Sequence, residues 1–172
     1  MRRFLLPTIC LLFIFSACKK KTDIAPANTV SATVDGVNMN FNTNVVAHFV
    51  NNQETAGTSS LIIQGVTAAQ TPSGGIGISL TSTNANYITE GTYTATSYKN
   101  TPPVWIQVSY VSSGDLDQPF WTDPNTIKPT TITITSITNT NVQGTFNGTL
   151  VYSQGGAPTK TVTNGKFNVT IQ

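Results

Sequence analysis

From Thr29 onward, apolar and polar residues alternate in short runs broken by turn-forming residues. The stretch VSATVDGVNMNFN, Val30 to Asn42, is the clearest case. With Asp35-Gly36 as a two-residue type I′ turn, Val34 faces Val37, Ala32 faces Met39 and Val30 faces Phe41, so every such pair is apolar. The other face carries Ser31, Thr33, Asn38, Asn40 and Asn42, which sends one side of the hairpin to a core and the other to water. The same pattern predicts strands near Val45 to Val50, Ser60 to Thr67, Gly75 to Thr83, Gly91 to Ser97, Val104 to Ser112, Thr130 to Thr138, Val142 to Ser153 and Thr161 to Ile171. About ten antiparallel strands with one buried face each predict an all-β domain, a two-sheet β-sandwich in preference to an open barrel.

Composition agrees with this periodicity. The chain holds thirty threonines, abundant Asn and Gly, and only 9% charged residues. Threonine, valine, isoleucine and aromatics suit a pleated, half-buried surface, while Asn, Gly and Pro supply turns. No segment has the 3.6-residue period of a helix of useful length.

The first 28 residues follow other rules. Arg2 and Arg3 precede an apolar run from Phe4 to Phe15, and Ser16-Ala17 supplies small residues before Cys18. This is the pattern of an export signal, and its twelve apolar residues fall short of the roughly twenty needed to span a bilayer as a helix. Small residues directly before a cysteine resemble a bacterial lipobox, with Phe15 where leucine is usual. The resemblance implies removal of residues 1–17, acylation of Cys18 and a partner in the outer membrane, through the lipid anchor. The side of that membrane faced by the domain is left open. Cys10 lies in the removed part, so the mature domain carries no thiol for a disulfide, a zinc site or a nucleophile. Residues 18–28 then form the lipidated cysteine and a flexible tether, and residues 29–172 a single domain.

Removing the leader also removes the apparent basicity. The whole chain has nine Lys and Arg against seven Asp and Glu, but from Ile24 onward four lysines face six acids, a net charge of −2. There is no basic patch with interleaved aromatics, which argues against a nucleic-acid partner.

Four short pieces, Ser31 to Gly36, Glu90 to Tyr93, Val142 to Phe146 and Asn164 to Val169, follow the lipobox in an order that resembles uncharacterised lipoproteins of the Bacteroidetes type. The resemblance covers nearly the whole mature domain. It implies an antiparallel β-sandwich and transfers no active-site residue.

Catalytic material is scarce. His48 sits in the apolar stretch VVAHFV with no ligand-spaced partner and reads as a strand histidine on the polar face. No HExxH, GxSxG or phosphate-binding loop is present, and no cofactor is implied. The chain reads as a non-enzyme.

One connection is out of character. Ser113 to Pro129 gathers Asp115, Asp117, Asp123, Phe120 and Trp121 with three prolines, in a loop longer than compact domains usually hold without a purpose. Two chemical readings follow. The three aspartates offer oxygens to calcium, but Pro119 breaks the EF-hand spacing, so no metal is assigned. Alternatively, Trp121 or Phe120 stacks on a sugar ring while the aspartates accept its hydroxyls. The plainer alternative makes the aromatics a plug at one end of the fold. These features predict an envelope-anchored, non-catalytic module that binds a ligand such as a polysaccharide or another envelope protein, with a structural or adhesive surface protein as the alternative.

Overall fold

The structure, a computed structural model, describes residues 25–52, 58–68, 73–82, 88–95, 104–112, 119–123, 129–152 and 158–172. Cys18, Asp115 and Asp117 lie outside the described residues. The described part contains eleven strands and no helix: β1 Thr29–Val34, β2 Val37–Asn40, β3 Thr43–Asn52, β4 Thr58–Val66, β5 Gly74–Ser82, β6 Gly91–Thr94, β7 Val104–Ser112, β8 Phe120–Thr122, β9 Thr131–Ile137, β10 Asn141–Tyr152 and β11 Thr159–Thr170.

The first hairpin has the expected register, with Val34 opposite Val37 and Ala32 opposite Met39. Asp35 and Gly36 both take positive φ, 49° and 83°, as a type I′ turn requires. Val30, Ala32, Val34, Met39 and Phe41 are buried, and Asn38 and Asn40 are exposed. Val37 is the exception, half exposed beside the turn. The turn is tied down by Asp35, whose carboxylate accepts from Thr161 N and Lys160 Nζ, each at 2.8 Å.

Every ladder is antiparallel, and hydrogen bonding joins all eleven strands in one sheet, whereas alternation alone predicts two facing sheets. Nine strands run in the order β2-β1-β11-β10-β8-β7-β5-β4-β3, and β9 and β6 branch from β10. Strand β10 makes the branch because its twelve residues are shared. One edge pairs with β11, while the other pairs with β9 over Val142 to Asn147 and with β8 over Leu150 to Tyr152. The sheet curls until its far end returns: Ala47 of β3 bridges Ile171, just past β11, and Gln172 N donates to Ala47 O at 2.9 Å.

The inner face holds the core, including Phe41, Leu61, Ile78, Ile132, Phe146 and Phe167, all fully buried. Fully burying a side chain of this kind contributes about 1.5–3 kcal/mol. Strands β10 and β11 interlock by a crossed pairing. Gly144 stands opposite Phe167, and Phe146 opposite Gly165. The rings lie 6.4 Å apart and nearly parallel, at 29°. A Cβ on Gly144 would strike the Phe167 ring, and one on Gly165 would strike Phe146. Each glycine therefore opens the space that the opposing ring fills.

The four short pieces Ser31 to Gly36, Glu90 to Tyr93, Val142 to Phe146 and Asn164 to Val169 all hold turn or packing positions. Two are this crossed pair and one is the first turn. In the fourth, Tyr93 Oη donates to Thr89 O at 2.8 Å and accepts from Thr89 N at 3.0 Å, closing the bend before β6.

Candidate functional site

The connection from Ser113 to Pro129 is not a continuous loop. Its middle forms β8, inserted between β7 and β10, with Phe120 opposite Tyr110 and Tyr152 and Trp121 opposite Ser109 and Val151. A strand sends consecutive side chains to opposite faces, so the adjacent aromatics part company. Phe120 turns inward and is 6% exposed. Its ring tilts against Tyr152 with centroids 6.0 Å apart, and Lys160 Nζ lies 5.5 Å from its centroid. Burial pushes the neighbouring Tyr110 phenol above its usual pKa, with Lys160 opposing and Asp35 adding to the shift. The parity of β8 thus puts Phe120 in the core and not on the outward face.

Trp121 turns outward and is 43% exposed. Its mount is firm, since β8 is hydrogen-bonded on both edges. In addition, Thr122 Oγ1 accepts from Val108 N at 2.8 Å and donates to Val108 O at 3.2 Å. Asp123 follows the strand and is half-buried. Phe120 and Trp121 face opposite sides and Asp123 follows at the end of β8; the grouping with Asp115 and Asp117 falls outside the described residues. Among the described residues, no three His, Cys, Asp or Glu side chains gather as a metal site. His48 is exposed on β3 opposite Ile62.

The outward face beside Trp121 holds what the sequence reading passes over. Register places Gln64 of β4, Gly77 of β5, Ser109 of β7 and Trp121 of β8 in one row across the sheet. A cleft of about 320 Å³ lies over the β4, β5 and β7 part of this row, next to Trp121 but not lined by it; its lining includes Asn44, Gln64, Val66, Gly75, Gly77, Ser109 and Val111. Gly75 and Gly77 lower its floor because they carry no side chain where their strand faces outward. At its far end a bulge in β3 puts Asn44 at φ 51° and brings it to the cleft. The lining contains no charged side chain. In the sequence, the available signal was Gly75-Ile76-Gly77-Ile78, which buries two isoleucines and leaves the outward positions bare.

Comparison with known proteins adds no assignment: no family model, curated protein or solved structure matches the chain.

Proposed function

We propose that the chain is a bacterial envelope lipoprotein of the Bacteroidetes type, anchored in the outer membrane through acylated Cys18, whose β domain binds a glycan without turning it over. The observation that carries this reading is Trp121, a large aromatic held outward on a strand paired along both edges, beside an uncharged cleft lined by amides, a hydroxyl and valines. Nothing in the core accounts for a tryptophan there, since Phe120 already fills the inward position. An indole face packs on the C–H face of a sugar ring, while amides and hydroxyls exchange hydrogen bonds with its hydroxyls. The scarcity of titratable groups supports a binding role over catalysis.

The test is glycan-array binding with the soluble domain, comparing wild type with Trp121→Ala. The variant should lose the signal. Its melting temperature should hold, because exposed substitutions away from special features stay within about 0.5 kcal/mol. A domain that binds no glycan, or one that Trp121→Ala destabilises strongly, would count against the reading.

A second reading, a structural or adhesive surface protein, draws on Val50, Ile62 and Val66, all exposed on β3 and β4. A contact with another envelope protein along those strands would protect them from solvent.

A further inference from the structure

The cleft has a chemical character more specific than its neighbour Trp121 alone suggests. We infer that it takes an uncharged oligosaccharide laid across the strands from Trp121 towards Asn44, an inference that rests on the glycan-binding reading of Trp121. Three observations on the outward face converge on it.

The first is direction. Trp121, Ser109, Gly77 and Gln64 are in-register neighbours on four consecutive strands of the sheet, so the row runs perpendicular to the strands. Three strand spacings of about 4.8 Å give a track of roughly 14 Å, long enough for several linked sugar rings and too long for one. The second is charge. The cleft is lined by the amides of Asn44 and Gln64, the hydroxyl of Ser109, backbone, and the apolar Val66 and Val111, with no ionised group. A sulfate or carboxylate settled there would lose hydration without a cationic partner, which is costly, whereas a sugar hydroxyl both donates and accepts as these groups do. The valines meet C–H faces. The third is the floor. Two outward positions of β5, 75 and 77, are glycines, and Gly75 has room to spare: a Cβ there would lie 3.6 Å from the nearest heavy atom, Val66 Cγ1, an ordinary contact. Packing therefore does not demand glycine at 75, and its effect is to keep the cleft open. Gly77 differs, since its Cβ would meet Ser109 Oγ at 2.7 Å.

Gly75 supplies the decisive variant. Gly75→Val puts a strand-favouring side chain where the backbone accepts it and fills the cleft. The experiment is isothermal titration calorimetry on the soluble domain with malto-, cello- and mannohexaose as neutral probes and hexagalacturonate and a heparin hexasaccharide as anionic ones. Thermal melts are recorded for every variant. The expected result is binding of at least one neutral hexaose, weakened tenfold or more by Gly75→Val and by Gln64→Ala, with melting temperatures at the wild-type value. If Trp121→Ala abolishes binding while Gly75→Val and Gln64→Ala bind like wild type, the cleft is not the track and this inference falls, but the Trp121 reading survives. The same holds if only the anionic probes bind. If no probe binds and the arrays are blank, both readings fall together.

Discussion

At the scale of single residues, two glycines and two phenylalanines show how the core is specified. Phe146 and Phe167 each cover a glycine on the opposing strand, so neither ring can shift without opening a void and neither glycine can gain a Cβ without a collision. Close packing of this kind makes core truncations expensive, because surrounding atoms relax only partly into the space left behind. Phe167→Ala should therefore lower unfolding free energy by about 3–5 kcal/mol, read from urea denaturation curves of the soluble domain. A loss below about 1 kcal/mol would mean that the ring is not held in the core. The burial of Phe167 is anticipated by its place in the closing strand, two residues before Val169. Its glycine partner is not, because a cross-strand pair leaves no mark on local periodicity. The same limit hides the candidate cleft. Gln64, Gly77, Ser109 and Trp121 are far apart in the chain, and only the register of three ladders sets them side by side.

At the scale of elements, strict alternation works until a bulge interrupts it. Val162 and Phe167 are five residues apart, which in an unbroken strand sends them to opposite faces, yet both are buried. The register explains this: β11 takes three steps, from Lys166 to Thr163, while β1 takes two, from Ser31 to Thr33. The extra residue is accommodated at Asn164, which sits at φ 52°. Asparagine tolerates that left-handed conformation and a β-branched residue does not. Asn164→Val should accordingly cost about 1–3 kcal/mol in urea denaturation, while Asn164→Gly should stay close to wild type. Equal losses in both variants would place the effect in the Asn164 side chain, whose amide lies 3.5 Å from Thr33 Oγ1, and not in the backbone. Strand β8 is the element that periodicity misses. Three residues cannot display a period of two convincingly, and the prolines around it read as loop. With β8 unseen, Phe120 and Trp121 look like one aromatic pair with one role, when in fact one fills the core and the other faces out.

At the scale of the whole molecule, the all-β class is legible because every strand has one apolar face. The sheet's connectivity is not, since a curled sheet and a pair of facing sheets bury the same alternate residues. The decision lies in backbone pairing, above all in the way β10 divides one edge between β8 and β9. The fold also bears on how the domain would stand on a membrane. The chain is already docked at Ala25, which is buried and whose carbonyl accepts from Asn168 Nδ2 at 2.9 Å; Asn28 Oδ1 then accepts from Thr170 N at 2.9 Å. Seven residue steps separate Cys18 from Ala25, at most about 25 Å of extended chain. The docking point lies by Asn168, near the end of β11, whereas the Trp121 row continues through Val151 to Thr159 at its beginning. Those two positions are nine residues apart, roughly 30 Å along the strand, so a lipid anchor on Cys18 leaves Trp121 away from the tethered end, while the Asn44 end of the cleft lies nearer to it, three residues before the Ala47 that bridges Ile171. Two or three acyl chains on one residue give stable attachment where a single chain gives only marginal binding. Cys18→Ala, expressed in a host that processes lipoproteins, should therefore move the protein from the membrane fraction to the soluble fraction and abolish palmitate labelling. The glycan binding of the released domain should be unchanged. A variant that stays with the membranes after carbonate washing would show that something other than acylated Cys18 holds the protein there.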